Sequence, residues 1–288
     1  PYTTLFRSGP IDCQHHHTPQ RRNTIGARTV MWTDVYSPLR IILRGAVIIL
    51  MLVFLLIPTL LCQSRYLAGL PAGRRRLGEF TLNTWSGWLC RAFGVKTRVH
   101  GDISGGPVLM VANHISWLDI VVMHSAAAMG FVSKAEVRKW PVIGFAATMG
   151  GTVYLERGSH DSSSNVAGNL VERLKQGRRV AIFPEGGIRP GDGVKVFHAR
   201  LFRIAIECGC PVQPVMIRYI RNGRRDPDMT FFASENFVMN VLRLLGRPSS
   251  ICELRFLDPI HTSGHSRKAL AEISRDAVHQ AFESGIES

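Results

Sequence analysis

Apolar positions from residue 97 onward alternate between short β-type runs and stripes with helical spacing. The predicted strands cover 108–112, 130–133, 152–155, 179–183, 212–218 and 252–256. The predicted helices lie near 117–128, 137–149, 163–176, 199–208 and 266–282. The clearest helix has Val166, Leu170 and Leu174 on one stripe and Gly177 as its C-terminal cap. Alternating strands and helices are typical of an α/β fold, which we expect over 97–288.

The N-terminal part carries a different pattern, an almost unbroken apolar run at 45–62. Eighteen helical residues reach about 27 Å, just short of a hydrocarbon core of about 30 Å. The run fits a single span, a re-entrant helix or a helix in the membrane interface; a buried core helix is the alternative. A second helical pattern at 79–93 carries Trp85 and Trp88, which suit a headgroup layer or packing against the main domain. We expect 31–96 to form hydrophobic and amphipathic helices.

Residues 1–30 show no apolar period and are left out of the fold prediction. The first eight residues read like the translation of a sequencing-adapter oligonucleotide, and Met31 is the expected start. We therefore expect 1–30 to be a non-native or disordered leader.

Charge narrows the class of partner. The chain of 288 residues has 35 Lys and Arg against 21 Asp and Glu, a net charge of +14. Four Arg and one Asp lie in 1–30, so the remainder keeps +11. With 45% hydrophobic residues the chain is not disordered, and the basic excess indicates nucleic acid, an anionic membrane or phosphate-bearing substrates. Nucleic acid is the least favoured partner, because aromatic residues are only 8% and no binding module is present.

Candidate chemistry begins at 113–119, directly after the predicted strand 108–112. His114 is followed five residues later by Asp119. On a regular helix these side chains would point about 140° apart, so they meet only if His114 precedes the helix and Asp119 lies within it. A carboxylate on one imidazole nitrogen fixes the tautomer and leaves the other nitrogen to accept a proton. His124, five residues after Asp119, satisfies the reversed spacing and is the alternative partner.

Two further segments follow predicted strands, where sites of α/β proteins form. The segment 183–189 brings Glu185, two glycines that allow close backbone approach, and the guanidinium of Arg189, which suits phosphate. The segment 151–157 reads as a strand that ends in Arg157. Taken singly, these patterns are also those of an ordinary turn and a surface arginine.

Together and in this order, the three segments resemble the glycerolipid acyltransferase family, in particular its bacterial 1-acylglycerol-3-phosphate acyltransferases. The NHxxxxD block is matched by Asn113, His114 and Asp119; the glycine-led strand by Gly151 and Arg157; the FPEG block by Phe183, Pro184, Glu185 and Gly186; and the last block by 212–217. The likeness covers about 79–220. Gly187 stands where the family has Ser or Thr, and 197–200 replaces a Lys-x-Gly stretch, so the acceptor head group stays open.

The resemblance implies a mixed sheet flanked by helices, preceded by a membrane-associating helical hairpin. It also implies acyl transfer from acyl-CoA or acyl carrier protein, as donor substrate, to a lysolipid hydroxyl, with no cofactor and no metal. His114 becomes the general base and Asp119 the residue that orients it. The implied substrate-binding residues are Asn113, Gly151, Arg157, Glu185, Gly186 and Arg189.

The first expected acceptor is lysophosphatidic acid, giving phosphatidic acid. The alternative is a lyso-ornithine-type aminolipid or another lysophospholipid. We expect anionic membrane lipids as partners and a place on the cytoplasmic face of a bacterial inner membrane, single-pass or monotopic. A basic cluster is expected either to meet headgroups or coenzyme A phosphates or to be a solvated loop; it consists of Arg218, Arg221, Arg224 and Arg225.

Overall fold

The computed structural model of the chain describes residues 37–64, 66–73, 75–139, 144, 147–148, 151–155, 160–188, 193–232 and 234–285. The expected leader at 1–30 lies outside the described residues, and so do two expected site residues, Arg157 and Arg189.

The helices and strands follow the alternation predicted from the apolar pattern. The α-helices are α1 (Pro38–Phe54), α2 (Leu56–Cys62), α3 (Leu77–Ala92), α4 (Leu118–Ala126), α5 (His160–Lys175), α6 (Arg203–Cys208), α7 (Phe237–Gly246) and α8 (Arg267–Glu283). The strands are β1 (Pro71–Ala72), β2 (Arg75–Arg76), β3 (Val95–His100), β4 (Val108–Ala112), β5 (Gly130–Lys134), β6 (Val153–Leu155), β7 (Arg179–Ile182), β8 (Val212–Arg221), β9 (Arg224–Arg225) and β10 (Ser250–Phe256). Short 3₁₀ turns lie at Ala135–Lys139, Ala199–Phe202 and Pro227–Met229.

Within the described part of the chain, eight strands form one mixed sheet in the order β3-β10-β8-β4-β7-β5-β6, with β9 paired to β8. Strands β8, β4, β7, β5 and β6 run parallel, and β10 is antiparallel to β8 while parallel to β3. Because β4 to β7 and β8 are parallel, their carboxyl ends share one edge of the sheet. The α/β fold with a mixed sheet flanked by helices is confirmed.

Two apolar cores cover the two faces of the sheet. All five residues of β4 are fully buried, and they alternate: Val108 and Met110 face one core, Leu109 and Val111 the other. The first core is filled from α3, α4 and α7, and the second from α5, α6 and α8. The sheet is therefore the middle layer between two layers of helices, and β4, the strand that precedes His114, lies inside it.

The apolar N-terminal run folds into two helices. α1 and α2 are bent by 45° relative to each other at residue 55. In the described residues no single helix has the length and composition to cross a bilayer, whereas α1 and α2 taken together meet both conditions. Met51 of α1 is buried in the first core, and α3 packs against α4, so this region is joined to the sheet. Membrane association of the helices stays a prediction.

Candidate active site

Two neighbouring parallel strands, β4 and β7, place the candidate residues at one edge of the sheet. Val111 of β4 is paired with Ile182 of β7, so the residues that follow the two strands are neighbours. His114 follows β4 and Glu185 follows β7. The structure thus brings the first and third sequence motifs together, as expected for a site beyond the carboxyl ends of parallel strands.

His114 and Asp119 form a hydrogen-bonded pair. The Nδ1 atom of His114 lies 2.9 Å from Oδ2 of Asp119. Because a carboxylate only accepts, Nδ1 carries the proton and Nε2 is the free acceptor nitrogen of the neutral ring. α4 begins at Leu118, so Asp119 lies in its first turn while His114 lies in the preceding loop. This is the arrangement that the five-residue spacing requires.

The loop before α4 is wrapped around the Asp119 carboxylate. The backbone N–H groups of Ile115 and Ser116 donate to Oδ2 at 2.7 and 2.9 Å. Asp119 is fully buried, and the side chain of His114 is 12% exposed. Three donors, Nδ1 of His114 and these two N–H groups, thus converge on Oδ2 and fix the orientation of the carboxylate behind the imidazole.

Tyr219 of β8 is a further partner of this carboxylate, which the sequence analysis did not identify. Its hydroxyl donates to Oδ1 of Asp119 at 2.8 Å. Burial, with the nearby Asp119 charge as the next cause, raises the pKa of Tyr219 well above its ordinary value, so the phenol remains a donor. The signal was present in the period of two along β8: Tyr219 lies on the same face as Val215 and Ile217.

Asn113 links the loop to β8 and does not face a ligand through its amide. Its Nδ2 donates to the carbonyl of Ile217, and its Oδ1 accepts the N–H of Ile217, both at 2.8 Å. The side-chain amide therefore continues the β4–β8 ladder beyond Ala112. This contact sets the position of His114, the next residue.

Phe183 packs against the flat face of the His114 ring. The rings of His114 and Phe183 are stacked, with centroids 3.9 Å apart and planes 12° from parallel. Phe183 in turn stacks on Phe131 of β5 at 5.8 Å. The NHxxxxD and FPEG motifs are thus in direct contact, and the aromatic stack fixes the plane of the imidazole.

Glu185 is buried beside His114. Its Oε1 accepts the backbone N–H of Lys195 at 3.1 Å. Burial raises the pKa of the Glu185 carboxyl, and hydrogen bonds from the backbone of Lys195 and of His114 oppose this rise. Glu185 therefore links the FPEG turn both to the segment at 193–198 and to the loop that carries His114.

The two glycines after Glu185 have backbones that favour glycine. Gly186 has φ +78° and Gly187 φ +151°. The N–H of Gly186 donates to the carbonyl of Phe183, closing a tight turn. At such a φ a Ser or Thr is strained, which accounts physically for the absence of a hydroxyl side chain at 187.

Gly151 is not brought to this site. It precedes β6, so it lies at the amino edge of the parallel strands, opposite to the edge that carries His114. Its carbonyl accepts a hydrogen bond from the guanidinium of Arg173, and its φ is +85°. The structure gives Gly151 a backbone role at the start of β6, and the expected contact with substrate is not supported.

The expected basic cluster is divided by the fold, and the prediction is wrong for Arg218. Arg218 is 1% exposed and donates to Oε2 of Glu253 from Nε and Nη2, at 2.9 and 2.6 Å. Glu253 lies directly opposite it on β10. Arg221 pairs with Asp226 and Asp228. Arg225 lines the pocket that also contains His114 and Lys195.

Two other side chains near the pair are buried: His124, the alternative partner of Asp119, and the hydroxyl-bearing Ser116. His124 is buried, stacks edge-on against Phe131, and has an Nδ1 without a hydrogen-bond partner among the described residues. Burial lowers the pKa of His124 to about 4. Ser116 is fully buried with its Oγ near the N–H of Leu118, so its hydroxyl cannot reach a substrate as a nucleophile.

Comparison with known proteins identifies the class. Residues 96–218 match the Acyltransferase family. The chain is 39% identical over 198 residues to the lyso-ornithine lipid O-acyltransferase of Pseudomonas aeruginosa, covering 69% of this chain and 76% of the relative. It is 38% identical over 112 residues to the 1-acyl-sn-glycerol-3-phosphate acyltransferase of Neisseria gonorrhoeae, covering 39% and 44%.

A solved structure shares the fold. The 1-acyl-sn-glycerophosphate acyltransferase of Thermotoga maritima superposes with a TM-score of 0.64 at 21% identity, covering 87% of this chain and 98% of that one. The chain belongs to this acyltransferase family, and the resemblance seen in its motifs is confirmed.

Proposed function

We propose that the chain transfers a fatty acyl group from a thioester donor to the free hydroxyl of a lysolipid, with His114 as general base. The observation that carries the proposal is the pair His114 Nδ1–Asp119 Oδ2 at 2.9 Å, on a carboxylate held by Tyr219 and two backbone N–H groups. Nε2 of His114 is the nitrogen that accepts the hydroxyl proton, since Nδ1 is engaged.

The reaction needs one proton relay and no covalent enzyme intermediate. The hydroxyl oxygen attacks the thioester carbonyl while its proton passes to Nε2 of His114. The tetrahedral adduct then breaks its carbon–sulfur bond, and the thiolate leaves as the thiol after taking the proton from the imidazolium. The buried Asp119 carboxylate stabilises the imidazolium between these steps.

The acceptor that we favour is lyso-ornithine lipid. Two relatives with this name, from Pseudomonas aeruginosa and Brucella abortus, are matched over 76% and 80% of their lengths. The departures at 187 and 197–200 lie at the FPEG turn, where the N–H of His198 donates to the carbonyl of Pro184 at 2.9 Å, and we expect the head group to bind near this turn. Lysophosphatidic acid, the first acceptor expected from the motifs, is the second candidate and is supported by the Neisseria relatives.

The donor and the cellular place complete the proposal. Acyl-CoA or acyl carrier protein supplies the thioester, and the lipid acceptor requires work at a membrane surface, which the apolar α1 and α2 suit. We place the chain on the cytoplasmic face of a bacterial inner membrane.

The direct test compares acceptors and variants in one assay. Purified membranes containing the chain or its His114→Ala variant receive labelled acyl-CoA with either lyso-ornithine lipid or lysophosphatidic acid. We expect acylation of lyso-ornithine lipid by the parent chain and a loss of about 10²-fold or more in His114→Ala. His124→Leu is the matched control, because this second histidine is buried away from the substrate, and it should retain turnover.

The outcomes separate the acceptor from the base. Acylation of lysophosphatidic acid alone would replace our first acceptor with the second. Turnover of either acceptor by His114→Ala at the parent rate would remove His114 from its role.

A further inference from the structure

Helix α7 has its polarity reversed relative to a helix on the surface of a water-soluble domain. Its exposed side chains are apolar: Val238, Met239 and Leu242 are 64%, 55% and 47% exposed. Its polar side chains, Asn240 and Arg243, are buried. An ordinary surface helix turns its polar face outward, so this helix is built for surroundings less polar than water.

The inward polar groups of α7 are fully engaged. Arg243 donates to both carboxylate oxygens of Glu235 at 2.6 and 2.9 Å and to the carbonyls of Asp228 and Thr230. Its guanidinium also lies over the ring of Phe232 at 3.9 Å. The charge is thereby neutralised from within, and none of it is left to hydrate the outer face of the helix.

The neighbouring helix α1 repeats the reversal. α1 packs against α7, and its Arg44 donates to the carbonyls of Leu245 and Arg247 at the C-terminal end of α7, at 3.0 and 2.7 Å. These contacts stabilise the negative end of the α7 dipole. The outward residues of α1 are again apolar and 57–66% exposed: Leu39, Ile42 and Leu43. We call these three residues, with Val238, Met239 and Leu242, the α1/α7 apolar surface.

The sequence of α1 and its surroundings is rich in arginine. Residues 35–78 hold six Arg and no Asp or Glu. The two Arg of residues 236–252, Arg243 and Arg247, are buried in ion pairs with Glu235 and Asp226, so the cations near this surface come from the first stretch. An apolar surface next to an arginine-rich stretch matches a layer of anionic headgroups above hydrocarbon.

Helix α7 also contacts the loop at 113–117, which carries His114 and which we call the catalytic loop. The indole Nε1 of Trp117 donates to Oδ1 of Asn240 at 3.0 Å, and the Trp117 ring meets Phe237 edge-on at 5.3 Å. Trp117 lies between His114 and Asp119 in the chain. The inner face of α7 therefore supports the segment that carries the base, while its outer face remains apolar.

We infer that α7 is a second membrane-contacting element, which rests with α1 on the anionic lipid surface and holds the catalytic loop beside it. The inference rests on the proposed function only in that a lipid acceptor must reach His114 from the bilayer. α7 goes beyond the apolar run at 45–62, because it lies about 180 residues later in the chain and belongs to the α/β domain.

A lipid layer is favoured over a second copy of this chain as the occupant. A self-complementary interface would bring Arg40 and Arg44 of two copies close together, and α1 itself has no carboxylate to offset them. Anionic lipid supplies the missing negative charge as well as the apolar cover.

The test measures binding to vesicles without requiring activity. The full chain and its Met239→Gln, Leu242→Gln double variant are mixed with vesicles of equal parts phosphatidylcholine and phosphatidylglycerol, and the bound fraction is followed by flotation. Since each apolar side chain loses its burial in lipid, we expect the partition coefficient to fall about tenfold or more. The matched control is Ile206→Gln, Ile273→Gln on α6 and α8, whose side chains are 38% and 40% exposed on the opposite layer; it should bind as the parent does.

Light scattering in detergent tests for the alternative occupant, a second copy of the chain, because it shows whether the protein is a monomer or a dimer. Equal partitioning of the α7 variant and the parent would overturn the inference. So would a parent dimer that dissociates in the variant while vesicle binding is unchanged. Failure of the proposed function gives a different result: the parent binds vesicles but acylates neither lysolipid.

Discussion

At the scale of residues, the site is organised around the Asp119 carboxylate. Four donors converge on it: His114 Nδ1, Tyr219 OH and two backbone N–H groups. A carboxylate that is held by several donors has a fixed orientation. The position of the His114 ring is therefore set partly by a phenol on a different strand.

Removing that phenol should lower the rate of turnover. In Tyr219→Phe the Asp119 carboxylate loses one of its donors and can turn away from His114. We expect kcat/KM to fall about tenfold or more, since a hydrogen bond to a charged group contributes about 1.5–3 kcal/mol. Steady-state kinetics of the two chains measure this, and urea unfolding shows that the variant is folded. An unchanged kcat/KM in a folded variant would contradict this role of Tyr219.

His124 provides a stability prediction of known sign. Burial depresses the pKa of His124 in the folded chain to about 4, below its ordinary value of 6.5, so the unfolded chain binds the proton more tightly. The free energy of unfolding therefore falls as the pH drops from 6.5 towards 4, by roughly 3 kcal/mol for this group. His124→Leu should remove this loss; urea titrations at pH 7 and pH 4.5 measure it. The same acid sensitivity in both chains would contradict the assignment.

The residues that could be predicted are those whose role depends on neighbours in sequence. The spacing of His114 and Asp119 already required a loop before a helix, and the structure has it. Tyr219 depends on the pairing of β8 with β4, which one sequence does not specify. Arg218 looked like part of an exposed cluster because its partner, Glu253, lies 35 residues away on another strand.

At the scale of elements, β8 joins the site to the C-terminal helix. Its backbone at Ile217 binds Asn113, Tyr219 binds Asp119, and Arg218 points to the other face, towards Glu253 and α8. Consecutive side chains of one strand thus hold the catalytic loop and the end of α8 from opposite faces.

The buried ion pair on β8 and β10 should be costly to break on one side only. Arg218→Met leaves the Glu253 carboxylate buried and unpaired, and we expect a loss of about 3–5 kcal/mol in the free energy of unfolding. The double variant Arg218→Met, Glu253→Leu should recover most of this loss. Urea unfolding of the parent, Arg218→Met and the double variant checks the prediction. A double variant that loses at least as much stability as Arg218→Met alone would count against it.

Element boundaries were predictable where the apolar period is regular. The helix expected at 163–176 is α5, His160–Lys175, and the strand expected at 108–112 is β4. β3 was missed because it is an edge strand whose only buried residue is Val95, so it lacks an apolar run. α7 was missed because its polar residues face inward, which removes the usual surface pattern. The helix expected at 137–149 begins as a 3₁₀ turn, Ala135–Lys139, and much of its remainder lies outside the described residues.

At the scale of the whole molecule, the net charge of +14 does not describe the surface directly. Arg218, Arg243 and Arg247 are all buried against carboxylates: Glu253, Glu235 and Asp226. The exposed cations are spread over the fold, and they include Arg75, Arg76, Lys96, Arg200 and Arg224. Composition therefore predicted an anionic partner without indicating a face, and the proposed lipid-facing surface draws on the arginine-rich residues 35–78, which hold no Asp or Glu.

The hydrogen bonds from Arg218 to the end of α8 have a practical consequence for anyone who shortens the chain. Arg218, which precedes Tyr219 in the sequence, donates at 2.7 Å to the carbonyls of Phe282 and Ser284. A truncation before Phe282 would strip two acceptors from a buried guanidinium and disturb the strand that holds the Asp119 carboxylate. Expression vectors and affinity tags should therefore leave residues 282–285 intact, because they support the strand that holds Asp119 and because Phe282 lines the same pocket as His114.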